Sequence, residues 1–78
     1  MSILSYNKSM ATNLSKYIGE RLRDLRTKKE LTQEEVAEKA GTERSYYAKL
    51  EQGYTLPSLK LLEKILNALD ARFRDVLP

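Results

Sequence analysis

The chain has 78 residues, with 32% charged and 41% hydrophobic side chains. One small soluble domain fits that length and balance, and two domains do not. Cysteine and histidine are both absent. Disulfide staples, thiolate or imidazole metal sites and Ser-His or Cys-His catalysis are therefore excluded, and no cofactor is expected. Lys plus Arg number 14 against 11 Asp plus Glu, a net charge of +3 that permits a polyanionic partner without demanding one. No apolar run is long enough to span a bilayer, and the start, MSILSYNKSMATN, has no secretory apolar region, so a cytoplasmic protein is expected.

Residues 1–12 are polar and unpatterned and read as a flexible arm ahead of a domain over residues 13–78. Breakers are scarce (Gly19, Gly41, Gly53, Pro57 and Pro78), β-branched residues are few, and the fold class expected is all-α with five helices. The first helix is predicted from Leu14 to Lys29, with Asn13 as cap and Leu14, Ile18, Leu22 and Leu25 at helical spacing. The second runs from Gln33 to Ala40. Thr32 and Glu35 form a capping box at its start and Gly41 stops it. The third spans Arg44 to Gln52 and ends at Gly53. Pro57 and Ser58 open the fourth, Leu59 to Leu69, and a short fifth is predicted from Arg72 to Leu77. The fourth carries two apolar rows, so it must be covered on two sides, by the fifth helix or by another subunit.

The informative window is QEEVAEKAGTERSYYAKLEQ, Gln33 to Gln52. Two short helices crossing steeply each need core residues. Val36, Ala37 and Ala40 serve one, and Tyr47 and Leu50 the other. Ala37 is small enough for the crossing, and Gly41 supplies the positive φ of a tight turn. Adjacent Tyr46 and Tyr47 point about 100° apart, so Tyr47 is assigned to the core, with its hydroxyl at the rim, and Tyr46 to the outside. The outer face of the second helix of the pair then carries Arg44, Ser45 and Lys49, with Glu43 and Tyr46 at its edges.

With IGERLRDLR before this window, SYYAKLEQG at its end and PSLKLLEKILNAL after it, the chain resembles the Cro/C1-type (XRE-like) helix-turn-helix domain of phage repressors and restriction-modification controller proteins. The resemblance covers about Ile18 to Leu77. It implies a lambda-repressor-like bundle and binding to double-stranded DNA. It assigns base reading to Arg44, Ser45, Lys49 and Glu43, and phosphate contacts to Gln33, Tyr46, Tyr54, Ser58 and Lys60. It also implies a buried ion pair between Arg26 and Glu51. Thr42, Tyr47, Glu30 and Asp70 depart from the pattern, the last two standing where a helix-ending glycine is common.

The charge layout is uneven. Residues 1–31 carry +4, residues 32–53 carry −2 and residues 54–78 carry +1. Glu34, Glu35 and Glu38 are expected to point away from a duplex, and non-specific affinity is expected to be modest. The function read from these features is transcriptional regulation, by a repressor or autoregulator that docks its third helix in the major groove as a homodimer. The dimer surface is read as Leu66, Phe73, Val76 and Leu77, with Phe73 equally able to anchor the last helix to its own core. No enzyme activity, membrane contact or small-molecule ligand is expected. The rival reading is a protein-interaction module, such as an antitoxin that binds a partner protein through its C-terminal helices.

Overall fold

A computed structural model describes the backbone of residues 3–78 and the side chains of residues 13–78. Four α-helices follow one another: α1 (Ile3–Lys28), α2 (Gln33–Ala40), α3 (Arg44–Glu51) and α4 (Leu59–Ala68). A single 3-10 turn, Phe73–Asp75, follows α4, and no strand occurs among the described residues.

Two boundaries differ from the sequence reading. Asn13 lies inside α1 rather than capping it. Nothing between Met1 and Thr12 is a proline or glycine, and an asparagine within a helix costs well under about 1 kcal/mol, so no local signal stops the helix at Asn13. Of the arm expected over residues 1–12, the backbone from Ile3 on belongs to α1, and residues 1–2 and the side chains of residues 1–12 lie outside the described residues. The predicted fifth helix is corrected to one 3-10 turn. Asp70 takes a left-handed φ of 54° and Arg72 is extended at φ −120°. The few residues left cannot offset the nucleation cost of an α-helix, and Asp75 instead accepts the Arg72 backbone N–H at 2.8 Å.

All four α-helices end in the same way. A residue at or just past the cap turns left-handed, and two backbone bonds close back on the last turn. After α1 these are Glu30 N–H to the Thr27 carbonyl and Leu31 N–H to the Arg26 carbonyl. The pattern repeats at Gly41, at Gly53 and at Asp70. Glycine takes this conformation freely, whereas Glu30 and Asp70 hold it at φ 57° and 54° against the clash of their own Cβ atoms.

The core gathers Leu22 of α1, Val36, Ala37 and Ala40 of α2, Tyr47 and Leu50 of α3 and Leu62, Ile65 and Leu66 of α4. Each fully buried leucine or isoleucine contributes about 1.5–3 kcal/mol of burial. Helix α2 packs on α3 and α4, and α1 packs on α3. The α1–α3 contact is close because Gly19 has no side chain. A Cβ there would collide with the Leu50 carbonyl and come within 2.6 Å of the Glu51 carbonyl oxygen. Ser15 strengthens the same seam by donating its hydroxyl to the Gly53 carbonyl at 2.9 Å. The second cover of α4 comes from the chain itself, since Val76, just past the 3-10 turn, is fully buried. Leu59 is the exception to the apolar rows, at 75% exposure. No described helix is long and apolar enough to cross a membrane.

Candidate nucleic-acid interface

Helix α3 is divided along its length. Tyr47, Leu50 and Glu51 face inward, while Arg44, Ser45, Tyr46 and Lys49 are exposed, as is its cap residue Glu43. The outward face is therefore the one assigned to base reading from sequence. Glu43 makes no capping hydrogen bond with its side chain, so its carboxylate is free on that face.

The helix is held at this angle from both sides. Helix α2 begins with the predicted capping box: Glu35 N–H donates to Thr32 Oγ1 at 3.0 Å, and Thr32 N–H donates to Glu35 Oε1 at 2.8 Å. That turns Glu35 back onto its own helix, and these bonds hold its carboxyl below the usual carboxylate range. Gln33, the residue after Thr32, sends Nε2 across to Glu51 Oε1 at 3.1 Å. The start of α2 is thereby tied to the end of α3.

Glu51 is the centre of this knot. Its side chain is only 3% exposed, and that of Arg26 is 14% exposed. Arg26 Nε donates to Glu51 Oε2 at 2.6 Å and Nη2 to Oε1 at 3.1 Å, while Nη1 donates to the Leu31 carbonyl at 2.8 Å. One arginine thus joins α1, the loop before α2 and the end of α3. Burial by itself would push the Glu51 carboxyl up. The hydrogen bonds from Arg26 and Gln33, with the Tyr47 hydroxyl near by, outweigh it and leave the group below its usual range. The hydrogen bonds that Arg26 donates to Glu51 hold its guanidinium charge more firmly than in water.

Tyr47 departs from the sequence reading in one respect. It is core, as expected, but its hydroxyl does not reach the rim. It is buried with no hydrogen-bond partner, and burial pushes its ionisation far above the ordinary phenol range. A tyrosine ring at this depth carries its oxygen into the neighbourhood of the Arg26–Glu51 knot.

The remaining assigned residues fall as follows. Gln33 and Arg44 line one open notch of about 450 Å³ between the starts of α2 and α3. Glu34 lines it too. Tyr54 and Lys60 are exposed, as is Ser58, whose Oγ accepts the Leu61 N–H at 3.1 Å and leaves its own O–H to donate outward. Of the four residues read as a dimer surface, Leu66 and Val76 are buried within the chain, at 2% and 0% exposure, and are corrected to core. They fill the space between α4 and the C-terminal turn, a role that residue spacing cannot separate from an interface. Phe73 and Leu77 remain available at 37% and 43%. Sequence reading missed Ser15, which looked like an ordinary polar residue on α1.

A profile of the helix-turn-helix family matches residues 22–76. An HTH-type transcriptional regulator of Archaeoglobus fulgidus is 43% identical over 56 residues, covering 72% of this chain and 80% of the relative. The immunity repressor of Bacillus phage phi105 is 42% identical over 52 residues, covering 67% of this chain and 36% of the repressor. Among solved structures, the restriction-modification controller protein C.AhdI from Aeromonas hydrophila superposes with a TM-score of 0.78 at 40% identity, covering 81% of this chain and 96% of that one.

Proposed function

Since this chain belongs to the helix-turn-helix family of DNA-binding transcription regulators, we propose that it reads a specific operator in double-stranded DNA and represses or autoregulates by occupying it. It is a binding protein and not an enzyme. The single observation that carries the reading is the exposure of Arg44, Ser45 and Lys49 on one face of α3, with Tyr47, Leu50 and Glu51 anchoring the other.

In this reading α3 enters the major groove. Arg44 suits a bidentate grip on guanine, worth roughly 1–3 kcal/mol of discrimination. Glu43 can accept from a cytosine amino group, Ser45 can pair with several bases, and Lys49 reaches a base edge or a phosphate. Gln33, Tyr46, Tyr54, Ser58 and Lys60 set the register on the backbone. The unpaired N–H groups in the first turns of α2 and α4 add donors where helix dipoles favour a phosphate. Three or four base-reading side chains are few for one site, so a homodimer on two half-sites about one helical turn apart supplies the specificity. Of the four residues assigned to its contact, Phe73 and Leu77 are the exposed ones.

The test is a fluorescence titration of labelled random duplex at several salt concentrations. Affinity should fall steeply as salt rises, because bound cations displace condensed counterions. A flat response would mean that phosphates are not the partner and would favour the protein-interaction reading.

A further inference from the structure

We infer that a second DNA phosphate is gripped by Arg23 and Gln52 in a notch on the α1 side of the knot. The inference rests on the DNA-binding reading above and extends it to a helix outside the two-helix reading unit.

The notch has a volume of about 270 Å³ and is lined by Arg23, Arg26, Gln33, Glu51 and Gln52. It shares Arg26 and Gln33 with the larger notch that contains Arg44, so the two adjoin. Their charges differ. In the Arg44 notch, with Arg26 committed to Glu51, Arg44 alone shares the lining with the two acidic residues Glu30 and Glu34, a net negative balance. In the α1 notch, two arginines face Glu51 alone, and Arg26 already neutralises Glu51 through two hydrogen bonds. Arg23 is left as an uncompensated cation. It is exposed and makes no ion pair or hydrogen bond among the described residues.

The neighbouring groups suit an anion. Gln33 spends one amide hydrogen on Glu51 and keeps a second. Gln52, at the C-terminal cap of α3, is exposed and brings another amide. A planar guanidinium beside one or two amides forms a fork matched to phosphate oxygens. The acidic α2–α3 segment makes such a contact consequential. With a net charge of −2 over residues 32–53, phosphate attraction has to come from flanking elements, and α1 lies in the +4 segment.

The experiment compares Arg23→Gln, Arg23→Lys and Arg74→Gln with the parent protein. Arg74 is an exposed cation on the C-terminal turn, outside both notches. The readout is duplex affinity against salt, for random and selected sequences. Arg23→Gln should lower the salt slope by about one per bound chain and weaken binding about five- to tenfold at 0.1 M salt, equally for both sequences. Arg23→Lys should restore most of the slope, and Arg74→Gln should leave it unchanged. Denaturant midpoints should be the same for all four proteins, because Arg23 is exposed and unpaired. An unchanged slope in Arg23→Gln, or an equal change in Arg74→Gln, overturns the contact while leaving the DNA-binding reading intact. Loss confined to the selected sequence would make Arg23 a base reader and also overturns it. Failure of the parent to bind duplex at all removes both readings together.

Discussion

Replacing Glu51 by alanine tests the joint that sets the angle of α3. The substitution removes the acceptor for Arg26 Nε and Nη2 and for Gln33 Nε2 at once. Breaking a buried ion pair from one side costs about 3–5 kcal/mol, because the surviving charge is left uncompensated. Two features place this site at the low end. The Arg26 side chain is 14% exposed, and its Nη1 keeps the Leu31 carbonyl at 2.8 Å. The expected loss is therefore about 3 kcal/mol, a large share of the roughly 4–12 kcal/mol expected for a domain of this size. Glu51→Gln keeps the shape and one acceptor oxygen, so its loss should be smaller, about 1.5–3 kcal/mol. Urea unfolding followed by helical circular dichroism measures both. The pH dependence has a definite sign. The folded-state carboxyl lies below its usual range, so its stabilisation is fully present above the unfolded value and is lost as pH falls through the folded one. The gap between parent and Glu51→Gln should be constant near neutrality and shrink in acid. A loss below about 1 kcal/mol for Glu51→Ala, or a gap that widens on acidification, would show that the knot does not hold α3.

Tyr47→Phe removes a buried hydroxyl that has no partner, so it should be neutral or stabilise by about 1 kcal/mol; a loss above that in urea unfolding would reveal a hydrogen bond from Tyr47 to the knot. Glu30→Gly and Asp70→Gly each relieve a left-handed residue and remove an acid from the negative end of a helix. After about 0.5–1 kcal/mol for the extra freedom of glycine in the unfolded chain, each should raise stability by about 0.5–1 kcal/mol in the same assay, and a fall would show that the strain is absent. The Lys29–Asp70 pair lost in the second variant, 3.6 Å apart with Asp70 91% exposed, offsets little of that gain. For the dimer, Phe73→Ala should lower the sedimenting mass at a fixed concentration, and an unchanged dimer mass would exclude that contact.

The elements nearest the binding face were the most legible in the sequence, because their boundaries are chemical and local. Thr32 with Glu35, Gly41, Gly53 and Ser58 each act within a few residues, and the ends of α2, α3 and α4 sit beside them. Inward Tyr47 and Leu50 then placed Arg44 and Lys49 outward through helical geometry alone. The start of α1 was not legible, since Asn13 suits a cap but nothing before it ends a helix. The C-terminal turn was missed because its residues favour a helix only weakly, and their geometry follows from Asp70 and from the burial of Val76. Leu66 and Val76 show the same limit from another side: an apolar residue on a short terminal element looks alike whether it covers its own core or a second copy. The α1 notch, too, needed three helices to be assembled before Arg23 stood beside Gln52.

The most direct measurement is selection of bound sequences from a pool of random duplexes, run in parallel with the parent protein and Arg44→Ala. The parent should enrich a two-fold symmetric pattern, with half-sites about one helical turn apart and at least one invariant guanine in each. Arg44→Ala should lose preference at that guanine while still retaining duplex. A pool that stays random with the parent, or a pattern unchanged by Arg44→Ala, would contradict the placing of α3 as the reader of DNA sequence.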